Sequence, residues 1–336
     1  MTPPPDNPYL WDRTGEPDPR VASLERALRS ERAAPDAAAL LSALTERGTV
    51  AAAPRRHAPA LPRSPVLRVS LAAAAAVALS LVGWLVVRPA LSPAWEIAAL
   101  TGDVRLDSSA LAGTRGWREG RWVETAEGSR ARLTGAGVGR VTVEGGSRLR
   151  LLRARAGEHR LELARGEISA FIYAPPRLFF VETPAATAID MGCAYDLAVG
   201  ERGDGILRVT AGWVELRARP VASRVPAGAS CRISGASGPG IPVFDDAPPS
   251  VHAAADALER SGTDADALAD LLAAARPRDS LTLWHLIPRT EGDSRAAVIA
   301  RLAGIAPPAD AAVTADAASL DPVALDRWWE DLRRAW

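Results

Sequence analysis

The side chains best able to do chemistry are few in this chain, and their spacing does not bring them together. Four histidines (His57, His159, His252 and His285) are scattered over three regions, so none has a catalytic or metal-binding partner at a usual spacing. Each reads as a surface histidine or one whose nitrogens are satisfied structurally. The two cysteines, Cys193 and Cys231, admit two readings. In an oxidising compartment they form a disulfide, worth about 3–4 kcal/mol in the chain-entropy model. Otherwise they are two small buried apolar side chains. Asp264 and Asp266 fall in the first turn of a predicted helix, where carboxylates complement the helix dipole. No Gly-x-Ser-x-Gly and no His-Glu-x-x-His is present, and the complete lack of lysine excludes a P-loop. Gly135-Ala-Gly-Val-Gly139 is followed by β-type sequence and reads as a turn. The expectation is a protein without enzymatic activity, cofactor or metal.

The elements around these residues are organised by one apolar stretch. Val69 to Val87 holds nineteen residues without a charge, closed by Arg68 and Arg88. As an α-helix it would reach about 28 Å, close to the hydrocarbon core of a bilayer. A buried helix of a soluble domain rarely lacks a polar face for so long, and 68 residues precede the stretch, too many for a normal leader. A transmembrane helix is therefore expected, with the lipid bilayer as a partner. Arg55, Arg56, Arg63 and Arg68 crowd its N-terminal side, which places the N-terminus in the cytoplasm and the later residues in the periplasm of a bacterial inner membrane. Ala72 to Ala76 would let a second helix approach closely, so a homodimer is expected too. Acidic and basic residues balance at 40 each, so no overall field draws the chain to nucleic acid.

Residues 1–65 read as a cytoplasmic arm and linker. Asp18-Pro19 starts a helix with Val21, Leu24 and Leu28 on one face, and a second opens near Asp36 with Leu40, Leu41 and Leu44. Two helices with so few large side chains make either an interaction arm or a solvated spacer. The arm has no cysteine, so it offers no His-x-x-x-Cys-x-x-Cys metal site.

From Trp95 to about residue 247 the pattern alternates. Val141/Val143, Leu149/Leu151, Leu161/Leu163 and Leu207/Val209 put apolar side chains on one face, with turn residues every eight to twelve positions, as in an antiparallel sandwich or roll. A short element recurs at Thr101-Gly102-Asp103-Val104, Arg165-Gly166-Glu167-Ile168 and Ala211-Gly212-Trp213-Val214. Each predicts a strand that runs into a glycine turn or bulge before the next strand begins.

Three runs in this region, Phe179 to Pro184, Ala188 to Leu197 and Leu207 to Leu216, resemble the FecR domain. Val181, Thr183, Pro184, Gly192, Tyr195, Gly212 and Val214 match its pattern in order and spacing, whereas Cys193 stands where the family usually carries threonine. The resemblance covers about residues 95–235. It implies a jelly-roll-like β fold outside a single span and a role in transmembrane signalling, typically to an extracytoplasmic-function sigma factor. The matching residues read as structural: Pro184 ends a strand, the glycines bend the backbone, and Tyr195 points inward.

Residues 248–336 return to helical periodicity. Ser250, Thr263, Asp279 or Ser280, and Ser294 are the expected caps of four short helices. Asp321-Pro322 starts a last helix, on which Leu325, Trp328 or Trp329, Leu332 and Trp336 form a stripe, for the core or for a partner. The expected whole is a multi-part chain: cytoplasmic α arm (1–65), transmembrane helix (69–87), all-β FecR-like domain (95–247) and C-terminal helical domain (248–336). Its expected function is membrane-anchored signalling to a sigma factor, with a periplasmic or outer-membrane protein as a further partner. The alternative is a membrane-anchored periplasmic scaffold that does not signal.

Overall fold

A computed structural model describes residues 95–262 and 264–336. Strands come first: β1 (Trp95–Thr101), β2 (Val104–Leu106), β3 (Ser109–Ala110), β4 (Thr114–Trp117), β5 (Trp122–Thr125), β6 (Arg130–Gly135), β7 (Gly139–Val143), β8 (Arg148–Arg155) and the long β9 (Glu158–Ile172). After β9 follow β10 (Phe179–Glu182), β11 (Thr187–Asp190), β12 (Ala194–Val199), β13 (Gly205–Ala211), β14 (Trp213–Ala218), β15 (Val221–Pro226), β16 (Ala229–Ser234), β17 (Gly238–Pro239) and β18 (Val243–Phe244).

They form two layers. One runs β4-β1-β6-β7-β9-β12-β13-β16, with β17 and β18 paired to β16. The other runs β3-β2-β5-β8-β9-β10-β11-β14-β15. All of these pairings are antiparallel except β9 with β10. β9 belongs to both layers: Glu158 to Arg165 pairs with β8, and Gly166 onward pairs with β12 and, from Ile168, with β7. Alternation accounts for the core. Val141, Val143, Leu149, Leu151, Leu161, Leu163, Leu207 and Val209 are all buried, each Leu or Val contributing about 1.5–3 kcal/mol by leaving water.

The recurrent glycine element marks where the chain changes layer. Gly102 joins β1 to β2 and Gly212 joins β13 to β14, each passing between the two sheets with a left-handed backbone, φ 72° and 68°. At Gly166 no new strand begins, contrary to expectation; β9 itself bends across with φ 99°. A Cβ at Gly166 would stand 2.2 Å from Ser147 Oγ, and one at Gly102 2.3 Å from Ser129 Oγ. These serine hydroxyls accept the next N–H, from Glu167 at 2.9 Å and from Asp103 at 2.9 Å. Glycine is needed because serine occupies the space that a side chain would take.

Helices α1 (Pro249–Ser261), α2 (Ala265–Ala274), α3 (Ser280–Leu286), α4 (Gly292–Ile305), α5 (Ala312–Ala318) and α6 (Pro322–Ala335) complete the described chain. Asp264 and Asp321 cap α2 and α6, accepting from Ala267 N and Ala324 N. The caps of α1 and α4 are Pro248 and Glu291, not Ser250 and Ser294, and α5 was not expected. The stripe on α6 goes into the core: Trp328, Trp329 and Leu332 are buried, and Trp329 packs against Trp213, Trp284, His285 and Trp336. The helices and the sandwich thus share one apolar core.

The expected fold class is corrected in one part. The described residues are mostly β-sheet followed by a helical segment, and among them no helix is long and apolar enough to cross a membrane. The physical reason is plain in the two longest, α4 and α6: 14 residues each, they reach about 21 Å and bury one face only. The transmembrane helix expected over Val69 to Val87, and the arm over residues 1–65, lie outside the described residues. A single-pass inner-membrane location is not supported.

Candidate functional site

The residues that carry the family resemblance fall at both ends of the β10-β11-β14 ladder: Thr183 and Pro184 follow Glu182 at one end, and Gly192, Gly212 and Val214 lie at the other, beside Asp190. Val181 on β10 and Val214 on β14 are fully buried. After β10, Thr183 Oγ1 accepts from Ala186 N at 3.0 Å and donates to Ala186 O at 2.8 Å, closing the turn that Pro184 enters. Gly192, φ 87°, lies in the passage from β11 in one layer to β12 in the other. Gly212 packs directly against it: a Cβ there would be 2.3 Å from Gly192 O. The two glycines are therefore one feature, a pair of layer-crossing corners in backbone contact.

A polar cluster lies beneath this corner. Asp190 is 1% exposed, accepts from Gly192 N at 2.7 Å through Oδ1, and accepts a hydrogen bond from the Cys193 thiol on Oδ2. Burial pushes the Asp190 carboxyl up to about 6, against the pull of those hydrogen bonds. Burial and the neighbouring carboxylate also push the Cys193 thiol up, so it is an inert thiol. Tyr195 is buried beside them, and its hydroxyl has no partner among the described residues. The disulfide reading is corrected: Cys193 and Cys231 are both free, and Cys231 sits on β16 with its thiol directed to Arg232 O and Gly240 O. Burial pushes the Cys231 thiol up to about 12. The corner is an architectural device, built on two glycines in backbone contact over buried side chains.

Open space lies elsewhere, between the sandwich and the helices. A cavity of about 730 Å³ is bounded by the β16–β17 hairpin, the end of α1 and the turn after α3. Arg289 reaches into it from that turn. Its Nη1 donates to His285 O at 2.7 Å, and its Nη2 to Ser223 Oγ at 2.8 Å and Gly240 O at 3.0 Å. All of these acceptors are neutral. Burial lowers the pKa of the Arg289 guanidinium. Across the cleft, Glu259 accepts from Ile241 N, and burial raises its carboxyl. Ile233, Ile241, Leu258 and Leu286 supply apolar walls. Sequence reading missed Arg289 and Glu259 altogether, because their partners lie far away in the chain and no local motif marks them.

Of the histidines, two have structural partners: His159 Nδ1 accepts from Trp95 Nε1 at 3.1 Å, and His285 Nε2 from Arg224 N at 2.9 Å. Among the described residues, no three His, Cys, Asp or Glu side chains come together to hold a metal.

No family model and no curated protein matches the chain. Two crystal structures, at 1.65 and 2.50 Å resolution, of a candidate anti-sigma factor from Parabacteroides distasonis ATCC 8503 are similar in part. Each is 16% identical with a TM-score of 0.33, and the match covers 37% of this chain and 60% of that one. The match thus spans less than two thirds of that protein's length, and a likeness at this level carries no argument about function.

Proposed function

We propose that the chain is a regulatory protein that controls a sigma factor by direct protein–protein contact and catalyses no reaction of its own. The reading rests on the FecR resemblance, and the observation that carries it is where the resembling residues sit. Thr183-Pro184, Gly192 and Gly212 lie at turns and layer crossings, and Val181, Tyr195 and Val214 point into the core. A pattern that specifies a scaffold, with no reactive group among its members, fits a domain whose output is a contact. The sandwich with its docked helices would be the recognition body.

The test is capture of the tagged full-length chain from its own cells after formaldehyde crosslinking. A sigma factor is expected in the captured set, and the same sigma factor, purified, is expected to rebind the purified chain. A crosslinked set without any sigma factor would overturn the reading and leave an interaction protein with no signalling role.

A further inference from the structure

We infer that the cleft between the β16–β17 hairpin, the end of α1 and the turn after α3 binds a small amphipathic carboxylate. Its carboxylate would sit on Arg289, and its apolar body between Ile233 and Ile241 on one side and Leu258 and Leu286 on the other. Two observations support this. The cavity, about 730 Å³, is of the size that holds a small organic ligand. Arg289 holds a positive charge there with carbonyl and hydroxyl oxygens as its hydrogen-bond acceptors. Glu259 attracts this charge without forming an ion pair with it, and a ligand carboxylate would add charge-assisted hydrogen bonds at the guanidinium.

The rest of the wall narrows the chemistry. Arg232, also at the cleft, is already paired with Asp256 at 2.8 Å, and Arg260 is exposed with its Nε on Asp256 O, so Arg289 is the least exposed cation of the three. The Glu259 carboxyl stands in the same cleft and disfavours a doubly charged phosphate more than a single carboxylate. Ile233, Ile241, Leu258 and Leu286 give the hydrocarbon part of a ligand apolar walls. Burial lowers the Arg289 pKa against the pull of Glu259, and a bound anion would add to that pull.

The inference does not depend on the sigma-factor reading, and the experiment addresses the cleft alone. The full-length chain is titrated by calorimetry with 4-phenylbutyrate, with 4-phenyl-1-butanol as the uncharged body, and with inorganic phosphate as the charge without a body. Saturable one-to-one binding of phenylbutyrate is expected, at least about tenfold tighter than either control. Arg289→Gln should remove the preference for phenylbutyrate over phenylbutanol. Because Arg289 also ties down the β17 hairpin, Ala236→Trp serves as a second variant: Ala236 is exposed at the cleft mouth, and a bulky ring there should weaken phenylbutyrate at least about tenfold without changing the melting temperature. No saturable binding, equal binding of the acid and the alcohol, or unchanged binding by Ala236→Trp would overturn the inference.

Discussion

Asp190 sets the protonation chemistry of the layer-crossing corner. Its folded pKa, about 6, lies above the usual carboxylate value, so the folded state holds the proton more tightly than the unfolded chain. The stability this contributes is present below about pH 4 and is lost as pH rises through 6, about 3 kcal/mol in all. Asp190→Asn keeps an acceptor for Gly192 N but cannot ionise. It should be more stable than the native chain by about 2 kcal/mol at pH 7 and show no gain at pH 4, by urea denaturation at both pH values. Gly212 sets the geometry of the same corner. Its φ is 68°, and a methyl group would collide with Gly192 O, so Gly212→Ala should cost about 2 kcal/mol or more, read by the same denaturation. Gly212 stood out in the sequence through its recurrent element, and both Gly192 and Gly212 through the resemblance to the FecR domain. What the spacing did not disclose is that they touch, since that contact depends on two crossings about twenty residues apart.

At the scale of elements, α3 closes an exposed strand. β15 is the edge of its sheet, and His285 Nε2 takes the Arg224 N–H that no further strand would satisfy. His285 Nδ1 lies 2.8 Å from Leu281 O and therefore carries the ring proton, so the histidine is held neutral in one tautomer. Burial, with Arg289 and Arg224 nearby, holds its pKa well below the ordinary value. The unfolded chain takes up a proton below about pH 6.5 that the folded chain refuses, so stability falls as pH drops, by roughly 1.4 kcal/mol per pH unit. His285→Leu should cost about 1–3 kcal/mol at pH 7, because Arg224 N–H loses its acceptor, and should flatten the acid side of the pH–stability curve. Thermal denaturation from pH 5 to 8 reads both effects.

How much of each element was legible follows from its local pattern. The paired apolar residues of β7, β8, β9 and β13 announced their strands, and Asp321-Pro322 announced α6, because those signals are local. α5 was not foreseen because it buries only Val313 and Ala317, too little for a visible stripe. The docking of α3 on β15 and the Arg289 cleft were not foreseen either. Their contacts join residues 61 and 66 positions apart, His285 to Arg224 and Arg289 to Ser223, and no periodicity encodes such a pairing.

At the scale of the molecule, the sandwich and the helices act as one body, although the sequence divides them at residue 248. Trp213 on β14 meets Trp329 on α6, Phe244 on β18 meets Trp336, and Thr282 on α3 donates to Pro242 O at 2.9 Å. Hydrogen exchange should therefore give the same opening free energy for peptides from β13–β16 and from α3–α6; two clearly separated values would show independent domains. A single body suits the proposed output, a contact, since a ligand or partner bound at one face would act on the whole. The most direct test of that function is transcription in vitro driven by the sigma factor recovered with the chain. The purified full-length chain, added in stoichiometric amounts, should change the output from that sigma factor's promoter and leave a promoter served by another sigma factor unchanged. Equal output from both promoters, with and without several-fold excess of the chain, would contradict it.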